Sequence, residues 1–181
     1  MVLWRGWLPA ALLLVPLAEA ISWALPAGLV DEAPGFGWWA LTLLLVGVNE
    51  ELISRGVVLE RLRGSFPGLA AVALTALLFG LQHLSLLITT SRDPFDVLGN
   101  VAASACYGFG LAAFQFRFRW IVPLILIHAL ADFTTTLSPQ PFGDVYVVVT
   151  SVVFVAWGLG ILYPRRRPVD AATSAPPRAT T

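Results

Sequence analysis

The sequence contains no lysine, one cysteine and two histidines, and only 12% of its 181 residues are charged. Each scarcity excludes something. An ordinary soluble domain is about 25% charged, so this chain has too few charges to cover a water-facing surface. With 57% hydrophobic residues, most of its exterior must face lipid. Eleven arginines balance eleven acidic residues and form no concentrated basic face, which excludes a nucleic-acid-binding surface. Cys106 is alone, so there is no intrachain disulfide and no record of redox compartment. A single cysteine in an apolar segment reads as a small inert packing residue. Arginine without lysine, beside abundant Ala, Pro and Leu, points to a GC-rich, bacterial genome.

What the sequence does have is long apolar runs. A helix needs about 20 predominantly apolar residues to cross a bilayer, and six stretches qualify, at 7–25, 37–59, 67–90, 97–116, 120–137 and 143–163. Ten-residue alternating patterns of the kind a membrane barrel shows are missing. The fold expected is therefore all-α, a polytopic transmembrane bundle of six spans, because a spanning helix satisfies its own backbone polar groups. Its parts are an N-terminal span and loop (1–36), a core (37–140), a C-terminal span (141–163) and a polar, Pro- and Ala-rich disordered tail (164–181). Arg5, Arg61 with Arg63, Arg117 with Arg119, and Arg165 to Arg167 all flank the same alternate ends of the spans. The positive-inside rule then places both termini in the cytoplasm, in an integral protein of a bacterial plasma membrane. Arg5 and Ala18-Glu19-Ala20 also fit a cleavable signal peptide. Because apolar residues continue to Leu25, an uncleaved span is the preferred reading; cleavage would leave five spans with the same orientation.

Ionisable residues inside spans cost several kcal/mol and mark functional candidates. Span two holds Asn49, Glu50, Glu51 and Arg55, span three Gln82 and His83, and span five His128 and Asp132. Glu51 and Arg55 share a helix face at four-residue spacing and can pair. Glu50, rotated by about 100° from Glu51, is free to point at something else. His128 and Asp132 are also four apart, like two metal ligands on one helix. Together these residues can form an intramembrane polar cavity that polarises a water or holds a divalent metal. Helical rise puts His128 and Glu50 about 13 Å from the cytoplasmic ends of their spans, and His83 about 10 Å from the opposite end. Convergence therefore asks span three to tilt or break. Glu19, Gln82, Asn100 and Gln115 read as interhelical packing, with a place at the cavity's border as the alternative for Glu19; Phe79 reads as packing, Gly108 and Gly110 as sites of close helix approach, and Trp4, Trp7, Trp38, Trp39 and Trp120 as interfacial anchors.

The order Glu50-Glu51-Leu-Ile-Ser-Arg55, Phe79-Gly-Leu-Gln-His83 and His128-Ala-Leu-Ala-Asp132 resembles the E-E-x-x-x-R, F-x-x-x-H and H-x-x-x-[N/D] motifs of the CPBP (Abi) intramembrane protease family, which includes the type II CAAX prenyl endopeptidases. The resemblance implies a cavity open to the cytoplasm. In it Glu50 and His83 activate water, His128 and Asp132 stabilise the oxyanion, and Glu51 and Arg55 hold the cavity together. It leaves open whether a metal takes part. If one does, Glu50, His83, His128 and Asp132 are its ligands and zinc is the first expectation. Asp132 stands where the CAAX proteases carry Asn; ionised, it cannot donate to an oxyanion, so it must bind metal or hold a proton.

The function expected is an endopeptidase acting on a membrane-bound or membrane-proximal peptide or protein, with the lipid bilayer as its other partner and no nucleic acid. Two other readings stand beside it. One is a catalytically silent scaffold or bacteriocin-immunity protein of the same fold. The other is a proton or metal carrier, disfavoured because six spans without internal symmetry do not resemble a transporter repeat.

Overall fold

The computed structural model describes residues 6–139 and 143–163. Arg5, Arg165 to Arg167, Trp4 and the expected tail lie outside the described residues. Six helices follow one another, and no strand occurs among the described residues. Helix α1 (Trp7–Ser22) is bent at Leu13, and α2 (36–63) runs as Phe36–Glu51, a π-helical turn Leu52–Val58, and Leu59–Arg63. Helix α3 (Gly68–Thr89) is interrupted by a 3₁₀ turn at His83–Ser85, and α4 (Pro94–Phe118), α5 (Ile121–Leu137) and α6 (Asp144–Leu162) complete the bundle. By length and composition α3, α4 and α6 can each cross a membrane, whereas α1 and α5 are shorter apolar helices. Helix α2 reaches spanning length only across its π turn.

The surface is the inverse of a soluble protein's. Ile88 and Phe95 are 87% and 83% exposed, along with apolar side chains on every helix, while Glu51 and Arg55 are 0% exposed. In lipid that distribution is favourable on both counts, and the chain is an integral membrane protein of helical-bundle type.

Helix α4 sits at the centre, packed on α3 and on α6, while α5 packs on α1 and α2. Its first turn is capped by the Asp93 carboxylate, which accepts from the Phe95 N–H at 2.8 Å, with Pro94 at the first helical position. One apolar cluster joins Leu59 of α2, Ala71 and Val72 of α3, and Ala112 and Ala113 of α4; another joins Leu111 and Phe114 of α4 to Leu124 of α5. Small residues set these distances. A Cβ on Gly47 would stand 3.1 Å from the Ile125 carbonyl of α5, and one on Gly110 2.8 Å from Phe154 of α6. Gly108 and Gly110 thus permit close approach, as their positions in span four suggested.

Glu60 accepts from Arg63 at 3.0 Å and from Arg119 at 3.1 Å, so α2 and α4 finish at one end of the bundle. At the other end, the Val30 N–H donates to the Leu137 carbonyl at 2.9 Å, tying the α1–α2 loop to the end of α5.

Candidate functional site

Helix α2 carries two adjacent carboxylates into one imidazole. Glu51 Oε1 accepts from His128 Nδ1 at 2.8 Å and from Arg55 Nη1 at 2.9 Å. Arg55 lies in the π turn and Glu51 just before it. The wider π turn brings residues four apart nearly into line, and such turns occur often at functional sites. Arg55 donates from Nη2 to the Gly108 carbonyl at 3.3 Å, and its guanidinium lies 4.1 Å from the Phe79 ring centroid. Gly108 is required there, since a Cβ would stand 2.8 Å from Phe79 and 3.2 Å from Arg55 Nη2. The Glu51–Arg55 pair is wholly enclosed between α2, α3, α4 and α5, with His128 of α5 as its third member.

A carboxylate at Nδ1 can only accept, so His128 carries its proton on Nδ1 in the neutral state and its Nε2 is left free. That nitrogen faces Glu50 Oε2 at 3.6 Å and Asp132 Oδ2 at 3.8 Å. These separations are too long for direct hydrogen bonds and leave room for a bridging water. Glu50 therefore does not point elsewhere, as its rotation from Glu51 suggested; the two glutamates reach opposite nitrogens of the same ring. Phe79 and Tyr107 pack edge-on against His128, with centroids at 5.7 and 5.6 Å, and restrict its rotation.

His83 opens onto the same cavity from α3. Its Nδ1 lies 3.1 Å from the Phe79 carbonyl, which can only accept, so the neutral ring carries its proton on Nδ1. The Phe79 ring packs edge-on against this imidazole as well, at 5.5 Å. The break that span three needed for convergence is the 3₁₀ turn starting at His83. Among the described residues no hydrogen bond or ion pair joins His83 to Glu50.

The cavity measures about 220 Å³ and is walled by His83, His128 and Asp132 together with Glu19, Asn100 and Tyr107. One water needs roughly 10–15 Å³ on this measure, so the space admits several waters or a substrate side chain. Asn100, read from the sequence as a packing residue, is thus a cavity residue, and Glu19 takes the second of its two readings, at the cavity's border. Glu19 Oε1 accepts from Trp23 Nε1 at 2.6 Å, but Glu19 Oε2, Asn100 Oδ1 and the Tyr107 hydroxyl are buried without a partner. Leaving such a group unpaired costs about 1–3 kcal/mol. Tyr107 was missed altogether, since a tyrosine inside an apolar run carries no motif. Gln115 is buried in α4, and Gln82 is exposed at the end of the first part of α3; neither lines the cavity.

Among the described residues no group of three or more His, Cys, Asp and Glu side chains is gathered as a metal ion would require. The zinc set expected from Glu50, His83, His128 and Asp132 is not gathered into one such group. Both Nδ1 atoms are turned onto protein acceptors, the orientation in which a histidine offers its Nε2 to a water or to a metal. No step below runs through a metal.

These features define a polytopic helical membrane protein with a histidine–carboxylate cluster enclosed at mid-bundle. The family model described as type II CAAX prenyl endopeptidase Rce1-like matches residues 32–134, more than half of the chain, and the chain belongs to that family, a family of proteases. The matched segment contains Glu50, Glu51, Arg55, His83, His128 and Asp132; α1 and α6 lie outside it. Neither the curated proteins nor the solved structures give a match to this chain.

Proposed function

We propose that the chain is an intramembrane endopeptidase that cleaves a membrane-bound or membrane-proximal peptide with a water activated by side chains. The observation that carries this reading is the two-sided setting of His128, with Nδ1 held by Glu51 and Nε2 facing Glu50 and Asp132 across a gap. Glu50 takes one proton from the water, and the neutral His83 Nε2 accepts a hydrogen bond from the other and aims it. The hydroxide attacks the scissile carbonyl. Protonated His128 donates from Nε2 to the oxyanion, and Asp132 donates to it in its protonated form. Collapse breaks the C–N bond, and Glu50 returns its proton to the departing amine. The arginine pattern supports cytoplasmic termini and a cavity served from that side.

The test is turnover of a fluorogenic peptide set, lipidated and unlipidated, by detergent-purified protein and by folded Glu50→Gln and His128→Ala variants. Turnover by the native chain that both substitutions abolish is the expected result. A folded native chain that cleaves nothing would instead favour the silent binding or immunity role.

A further inference from the structure

The mechanism above leaves three cavity residues without a use: Glu19 of α1, which precedes the matched segment, and Asn100 and Tyr107 of α4, which lie within it; they form part of the cavity wall. Resting on the peptidase reading above, we propose that this wall is a substrate subsite for a cationic nitrogen group of the peptide, a guanidinium or an ammonium.

The chemistry of the unused atoms selects the ligand. Glu19 Oε2 and Asn100 Oδ1 are acceptors, and the Tyr107 hydroxyl can accept as well as donate. A group bristling with N–H donors can pair with such acceptors, whereas a carboxylate or phosphate would meet the Glu19 carboxylate head-on. No arginine lines the cavity. Arg55 is committed to Glu51, to the Gly108 carbonyl and to the face of Phe79, and the protonated His128 to Glu51 and the oxyanion, so neither is left to hold an anionic substrate end beside Glu19. Glu19 is also positioned in advance, because Trp23 Nε1 fixes one of its oxygens at 2.6 Å and the other has no partner. Helix α1 is anchored for the purpose, with Thr134 of α5 donating to the Ala20 carbonyl at 2.5 Å. The hydroxyls of Thr135, Thr150 and Ser151 give the same cavity further small acceptors.

The experiment uses the full chain in detergent and matched peptides carrying arginine, its neutral isostere citrulline, or neither, each with a free or acetylated amino terminus. Binding is read from the fluorescence of Trp23, isolated by difference from a Trp23→Phe control, and cleavage is read in parallel. The arginine peptide should bind roughly tenfold or more tightly than the citrulline peptide, the range of a charge-assisted hydrogen bond. In Glu19→Gln, which keeps an acceptor for Trp23, that ratio should fall to about one. A Tyr107→Phe variant, which keeps the ring contacts, should lower the ratio by a smaller factor. If a free amino terminus rather than arginine confers the preference, and Glu19→Gln removes it, the subsite stands and its ligand is the ammonium. Equal binding of all peptides, or a preference that survives in Glu19→Gln, would overturn the proposal. Selective binding without cleavage would sink the peptidase reading and keep the subsite, while cleavage without selectivity would do the reverse.

Discussion

Glu50 and Glu51 are neighbours in the chain and partners of one imidazole, yet their surroundings are opposite. Glu51 is 0% exposed and engages Arg55 and His128, with only its second oxygen left without a partner. The Glu50 side chain is 23% exposed and makes no contact shorter than 3.6 Å with its histidine. Identical chemistry at consecutive positions thus serves two ends. On the Nδ1 side of His128, charges are paired and dry, which fixes geometry. On the Nε2 side Glu50 and Asp132 stand back from the ring, and Glu19, Asn100 and Tyr107 in the same cavity keep unpaired atoms; together these leave a place for water and substrate. The lesson is that a buried charge contributes to structure when its partners close around it, and to chemistry when a gap is left.

Breaking the closed side should have the largest effect. Arg55→Met strands Glu51 without its cation, and removing one partner of a buried pair costs about 3–5 kcal/mol. The denaturation midpoint in detergent should fall accordingly. Replacing both, as Glu51→Leu with Arg55→Met, should recover much of that loss, since a well-packed apolar pair often equals a buried ion pair.

Breaking the open side should leave stability alone. Glu50→Gln is expected to lower kcat by about 10²–10⁴, the range of general acid–base catalysis, with the unfolding free energy changed by no more than about 0.5 kcal/mol. Gly108→Ala sharpens the comparison from outside both carboxylates. Its methyl would push on Phe79 and Arg55, and overpacking of this kind costs about 1–3 kcal/mol, so it should resemble a weak Arg55 variant in the same unfolding measurement. Asp132→Asn should be milder still, since an amide donates where a protonated carboxyl did; less than about a tenfold change in turnover is expected. Turnover by the side-chain mechanism is expected to survive chelation; activity lost to a chelator and restored by zinc would instead give the free Nε2 atoms of His83 and His128 to a metal.

Much of this was legible before any coordinates. Apolar runs marked six helices, and expensive charges marked Glu50, Glu51, Arg55, His83, His128 and Asp132, because lipid makes both signals strong. The hidden part lies in contacts across long stretches of chain. The Glu51–His128 bond joins residues 77 apart, and no local spacing predicts which nitrogen of His128 it engages. The π turn at Leu52–Val58 and the 3₁₀ turn at His83 are marked by no proline at those positions. Glu19 and Tyr107 gave no motif, since their use depends on which face of α1 and α4 meets the cavity.

The most direct test of this division of labour measures unfolding midpoint and peptide turnover together for Glu50→Gln and Glu51→Gln. One side chain differs between two adjacent positions, and each substitution removes one charge. The account predicts that Glu50→Gln keeps its midpoint and loses turnover, while Glu51→Gln loses its midpoint because Arg55 is left buried and uncompensated. Two variants that fall together in stability, or a Glu50→Gln protein that still cleaves, would contradict it.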